Sequence, residues 1–325
     1  PLAERGNKVI TPGDIKRVNE QARILGSSLD EEIIHQIPSG YSIDTKSNIL
    51  NPLGLYSHKL EVDLYLVCGK LAAMQSLSRA VNQAGLDLKG LYFSGIATCD
   101  MVFDQSQRKG MHVLCDIGKD ITELVFLQDG LLQDIKILPF GGDDLTLELS
   151  NQLNIPFELA EDVKRSHGFV GDAFAIHDEK EILVKEERAY KPLKKKRVVE
   201  ILTGRSQTLS EAIRDAVSSG IPLNQINSFT VSGRTLLLDG FLEYFERVIG
   251  IPVKLARLSQ LDIVPLVNKN EALSGQHFLT YVTALGIVSL ALRQECPQLI
   301  SEAVVPPNLF ARTVNKVREV YQEYF

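Results

Sequence analysis

The run Gly110-Met-His-Val-Leu-Cys-Asp-Ile-Gly-Lys-Asp-Ile-Thr-Glu-Leu-Val-Phe-Leu127 is apolar up to Cys115, turns at Asp116-Ile117-Gly118 and resumes as a second apolar arm. Val, Ile and Phe in both arms predict a β-hairpin with Asp116, Gly118 and Asp120 at its tip. Asp129-Gly130 marks another turn, and Leu131 to Leu138 supplies a third strand. Pro139-Phe140-Gly141-Gly142-Asp143-Asp144 then breaks the sheet and starts a helix with Leu145, Leu149 and Leu153 at helical spacing. A second helix, Phe157 to His167, sets Glu161 and Lys164 one turn apart and stops at Gly168. Three strands, two helices and a glycine-cornered acidic hairpin form a candidate nucleotide cradle.

The bulk properties leave that reading open. The 325 residues are 44% hydrophobic and 23% charged, an ordinary globular composition whose length suggests about two domains. A net charge of −6 gives no support for nucleic acid as the main partner, which needs a basic face. Cys68, Cys99, Cys115 and Cys296 form no C-x-x-C pair and read as small hydrophobes in a reducing, cytoplasmic setting. No apolar run reaches the ~18 residues of a membrane span, and no signal peptide is expected. His35, His58, His112, His167, His177 and His277 show no ligand spacing, so no metal site is assigned to histidine.

Upstream of the hairpin, Thr11-Pro12-Gly13-Asp14 caps a helix carrying Ile15, Val18, Ala22 and Leu25. Ile33 to Ile37 reads as a short strand ended by Pro38, Leu60 to Val67 as a strand entering a core, and Leu71 to Ala84 as a helix. Leu88 to Ser94 is expected as a strand and Ile96 to Phe103 as a helix. Downstream, the basic run Lys191 to Arg197 reads as a solvated loop, and Val198 to Ser219 as a long amphipathic helix. Phe229 to Ser232 is a strand running into Gly233, and Tyr281 to Leu292 is a helix with Gly286 in its interior. An interior glycine costs about 1 kcal/mol against alanine, so close packing or a ligand is expected there. After Pro306-Pro307, the residues Phe310, Val314, Val317, Tyr321 and Phe325 form one apolar stripe, suited to a membrane surface or to docking on the chain's own body.

In actin-fold ATPases two acidic glycine-turn hairpins clasp the phosphates, with backbone N–H groups on phosphate oxygens and aspartates holding Mg²⁺ through water. Asp116, Gly118 and Thr122 fit one such hairpin, with Asp116 as the metal residue; Gly141-Gly142 fits the following turn. Glu161 and Lys164 fit the pair beside the adenosine, and Gly233 with Arg234 fits the glycine-rich strand end. The order of these motifs, together with Asn51-Pro52-Leu53-Gly54-Leu55 and Leu60-Glu61-Val62-Asp63, resembles the bacterial cell-division family FtsA over essentially the whole length.

The resemblance implies an α/β actin-like (RNase H-like) fold with an extra α+β subdomain and an incomplete first core subdomain. Its expected layout is 1–7 with 89–109 as the remnant of that first subdomain and 8–88 as the extra one. Residues 110–180 with 228–305 are the second core subdomain, 181–227 a small insert, and 306–325 a hinge with an amphipathic membrane helix. It further implies ATP with Mg²⁺ as a polymerisation ligand, at most weak ATPase activity, and head-to-tail self-assembly. The C-terminal peptide of FtsZ is the implied partner at Arg205, and the cytoplasmic face of the inner membrane at the division site is the implied location.

The chain departs from the pattern by carrying Lys119, Asp120 and Ile121 where glycines and threonines are usual, and by showing no second Asp-x-Gly-Thr hairpin. ATP and Mg²⁺ are therefore ligands this chain has either kept or lost. Read without the resemblance, Asp116-Ile-Gly is a tight turn, Glu161 and Lys164 are a surface ion pair, and Arg205 is a solvent-facing helix residue. An active ATPase of the sugar-kinase or Hsp70-like branch lacks its second hairpin here. A PilM-type pilus scaffold is disfavoured by Asn51 to Leu55 and by the tail.

Overall fold

The computed structural model describes residues 3–103, 109–173, 181–186, 189–258 and 275–292. The described residues divide into two compact units, residues 3–76 and residues 77–292. The five apolar tail residues Phe310, Val314, Val317, Tyr321 and Phe325 lie outside the described residues.

The first unit pairs β1 (Ala3–Val9), β2 (Glu31–Ile43), β3 (Lys46–Ile49) and β4 (Tyr56–Lys70) in an antiparallel sheet of order β1-β4-β2-β3, and α2 (Leu71–Gln83) follows β4 in the chain. Helix α1 (Pro12–Gly26) starts where Thr11 donates from its backbone and its hydroxyl to Asp14 Oδ2, at 3.0 and 2.6 Å, with Pro12 opening the first turn. Val18 of α1 meets Tyr41, Ile43, Leu60 and Val62 of the sheet in a small core. Two expectations change here. Residues 3–7, expected with a first core subdomain, instead lie in β1, which hydrogen-bonds to β4 with Ala3 opposite Leu60. Pro38 does not end β2: a register shift between Pro38 and Gly40 accommodates the missing N–H, and the strand runs on to Ile43.

The second unit is built on a five-stranded sheet. β5 (Met111–Ile117), β6 (Thr122–Gln128) and β7 (Leu131–Leu138) are the antiparallel strands read from the sequence. After α4 (Gly142–Leu153) and α5 (Phe157–His167) come the hairpin β8 (Glu181–Glu186) and β9 (Ala189–Lys194) and the long α6 (Lys195–Ser218). β10 (Ile226–Ser232) returns parallel to β5, and β11 (Val253–Leu255), beyond α7 (Phe241–Ile249), lies parallel to β10. The sheet order is β11-β10-β5-β6-β7.

Side chains alternate across a strand, so each face has its own neighbours. Cys115, Ile117, Leu124, Phe126 and Val231 point into one large core shared with α4, α6 and α7. Ile182, Val184 and Leu193 of the β8–β9 hairpin, within the insert expected at 181–227, belong to that same core. The expected loop at 191–197 is ordered structure: β9 followed by the first turn of α6. Two of its charges have structural partners, with Lys191 Nζ donating to Leu153 O and Asn154 O at the end of α4, and Arg197 donating to Gln152.

The opposite face carries α3 (Ser94–Val102) and α8 (Val282–Leu292). Residues 88–93, expected as a strand, form none. Gly286 of α8 crosses directly over the Ala97 backbone of α3, and a Cβ there would sit 2.1 Å from Ala97 O. Close helix packing thus accounts for the interior glycine. Gly286→Ala gains helix propensity of about 1 kcal/mol, but it drives a methyl group into backbone. The expected net loss is about 2 kcal/mol, read as a lower midpoint in urea denaturation.

Candidate functional site

The β5–β6 hairpin, the turn into α4 and the end of β10 converge on one corner of the second unit. Asp116 lies within β5, one residue before its end, so the tip is formed by Gly118 to Ile121 instead. Gly118 N–H donates back to Ile121 O at 3.0 Å and closes the turn. The carbonyls of Gly118 and Lys119 then accept hydrogen bonds from Gly142 N–H and Asp143 N–H, both at 2.9 Å, at the start of α4. Thr122, buried, donates its hydroxyl to Phe140 O at 2.9 Å, and Thr235 donates to Gly118 O at 3.0 Å.

The glycines follow from this close approach. A Cβ at Gly141 would come within 2.6 Å of Lys119 O, and one at Gly142 within 2.8 Å of Thr235 Oγ1. Gly233 has φ +106° and a Cβ there would meet Ile117 O at 2.2 Å, so its conformation serves the approach of β10 to β5. Arg234 beside it is exposed.

Glu161 and Lys164 are more than a surface pair. Lys164 Nζ contacts Glu161 Oε2 at 2.6 Å and donates to Gly142 O at 2.9 Å and Thr146 Oγ1 at 2.7 Å, while Thr146 donates to Glu161. The Lys164 side chain is only 12% exposed, and this network ties α5 to the first turn of α4. Burial works against the Glu161 carboxylate, yet the hydrogen bonds from Lys164 and Thr146 outweigh it and hold its pKa below the usual value. Arg205 belongs to the same corner: its Nη2 meets Asp144 Oδ1 at 2.7 Å, and Asp144 accepts Gly141 N–H at 2.9 Å through its other oxygen. The expected free, outward arginine is thus an ion-paired one.

Behind the hairpin, Asp116 faces α8, whose Thr283 hydroxyl donates to Oδ2 at 3.4 Å and contacts Thr98 Oγ1 of α3 at 2.9 Å. Glu123, directly opposite Asp116 across the strands, is buried and accepts from Ser94 at 2.6 Å. Burial pushes the Asp116 pKa up to about 6 against the weaker pull of Thr283, and burial also raises Glu123. Glu123, Thr235 and Thr283 were not singled out from the sequence. Glu123 could have been found, because it mirrors Asp116 across the hairpin turn; Thr283 lies 167 positions from Asp116 and carries no local signal.

This corner does not fit the Mg²⁺-nucleotide that the resemblance implies. The first amides of α4, which a phosphate would seek, already donate to the hairpin carbonyls. Lys119, Lys164 and Arg205 each face a carboxylate, at Asp143, Glu161 and Asp144. Asp116, the expected Mg²⁺ residue, is half-buried and accepts the Thr283 hydroxyl at 3.4 Å.

The raised Asp116 pKa carries a stability consequence. Below the unfolded value near 3.8 the carboxyl is neutral in both states and costs nothing; above about 6 it is charged in both, and the folded state bears the desolvation. Stability should therefore fall as pH rises between those values. Asp116→Asn should flatten that slope and gain up to about 3 kcal/mol at pH 7, measured by denaturation at both pH extremes.

Comparison with known proteins follows the same division of the chain. The family model "Cell division protein FtsA" matches residues 113–286, and the model "SHS2 domain inserted in FTSA" matches residues 2–68. The FtsA of Buchnera aphidicola (subsp. Baizongia pistaciae) is 25% identical over 81% of this chain and 65% of its own length. The FtsA of Bacillus subtilis is 23% identical over 88% of this chain and 62% of its own. The chain thus spans somewhat under two thirds of these relatives.

Among solved structures, a PilM–PilN type IV pilus biogenesis complex matches with TM-score 0.56 at 16% identity, over 90% of this chain and 76% of that one. MreB5 of Spiroplasma citri bound to AMPPNP matches with TM-score 0.52 at 14% identity, over 70% of this chain and 66% of that one. At such identities these likenesses show the actin-like fold alone. With the inserted domain in its place and the FtsA model covering more than half of the residues, the chain belongs to the FtsA family of cell-division proteins.

Proposed function

We propose that this protein is a division scaffold that tethers FtsZ filaments to the cytoplasmic face of the inner membrane and assembles head to tail with its own copies. The observation that carries the reading is the order of the two matched parts, an inserted SHS2 domain over 2–68 followed by the FtsA core over 113–286. The apolar stripe of the tail, Phe310 to Phe325, supports the membrane attachment by its sequence. Nucleotide turnover is left out because the Gly142 and Asp143 amides bond to the hairpin and Lys119, Lys164 and Arg205 each pair with a carboxylate, with Arg234 the exposed cation of the corner.

Arg205 is the proposed contact for the acidic groups of an FtsZ C-terminal peptide, which would have to share its guanidinium with Asp144. That arrangement yields opposite effects from two substitutions. Arg205→Gln should weaken capture of an FtsZ C-terminal peptide about tenfold, the loss of one charge-assisted contact, whereas Asp144→Asn should leave capture intact or strengthen it. Equal capture by wild type and Arg205→Gln would remove Arg205 from the interface. No capture by any form would remove the tethering role itself.

A further inference from the structure

We infer that the β5–β6 hairpin tip is a built-in cap that occupies the N-terminus of α4 in place of a phosphate, so that this corner is ordered without nucleotide. The inference is about this chain's own residues and holds whether or not FtsZ is the partner. A helix begins with amides that have no partner within the helix, and anions or carbonyl oxygens are what satisfy them. Here the two oxygens are supplied by the protein, from Gly118 and Lys119, each at 2.9 Å from an α4 amide.

One side chain bonds directly to these carbonyls, and an exposed ion pair lies beside them. Thr235 donates to Gly118 O from the β10 side, and the Lys119 ammonium reaches Asp143 Oδ2 at 3.3 Å in the first turn of α4. The composition of both partners suits the contact. Gly141 allows the tip to approach within 2.6 Å of where its Cβ would lie. Lys119, Asp120 and Ile121 put side chains on the tip where bare backbone would suit a phosphate. A glycine at 119 would remove the ammonium that pairs with Asp143.

Amide hydrogen exchange on the full chain tests this directly, because it reads the two bonds themselves. In nucleotide-free protein, Gly142 N–H and Asp143 N–H should be protected at least about a hundredfold over free amides, and millimolar ATP with Mg²⁺ should leave that protection unchanged. Gly141→Ala, by forcing a methyl group against Lys119 O, should lower the protection of these two amides at least about tenfold while the β5–β6 amides of Val113 to Val125 keep theirs. Near-free exchange at Gly142 and Asp143 without nucleotide would overturn the inference. So would protection that appears only with ATP and Mg²⁺, or protection unaffected by Gly141→Ala.

Discussion

Everything at the functional corner depends on the first turn of α4. Its amides need oxygen partners, and a buried helix start without them is costly. The hairpin carbonyls meet that need, and the neighbouring elements then attach to the same turn. Lys164 brings α5 to Gly142 O, Arg205 brings α6 to Asp144, and Thr235 brings the segment after β10 to Gly118 O. Five pieces of chain, far apart in sequence, are thereby fixed relative to one another by backbone groups more than by charge.

The sheet beneath this corner has two unlike faces. One is apolar and shares its core with α4, α6 and α7. The other, under α3 and α8, carries Asp116 and Glu123 side by side with Ser94, Thr98 and Thr283. Two carboxylates in such surroundings stay folded at a cost, as their raised pKa values indicate. Stability alone would favour amides or hydroxyls at those positions.

Much of this was legible in the sequence where the signal is local. The β5–β6 hairpin follows from the two apolar arms around Asp116-Ile117-Gly118, and α1 from Thr11, Pro12 and Asp14, where Thr11 bonds to the Asp14 carboxylate. Gly286 was readable as a close contact, though not with what. The failures are of a different kind. Edge pairing placed β1 in the first unit's sheet, and no residue of β1 announces its partner. Charge density suggested a loop at 191–197, where Lys191 of β9 reaches the carbonyls at the end of α4 with its ammonium group. Arg205 and Asp144 are 61 positions apart, so their pairing is a product of how α6 packs on α4.

The crossing of α3 and α8 has a mechanical consequence. Helices that meet through long side chains can absorb a displacement by changing rotamers. At Gly286 and Ala97 there is no side chain between the two backbones to adjust. The contact is therefore a stiff fulcrum: a tilt of either helix is passed on and not damped. One turn away, the Thr98–Thr283 hydroxyl pair sits on the lever arm, and Asp116 is the next group it touches.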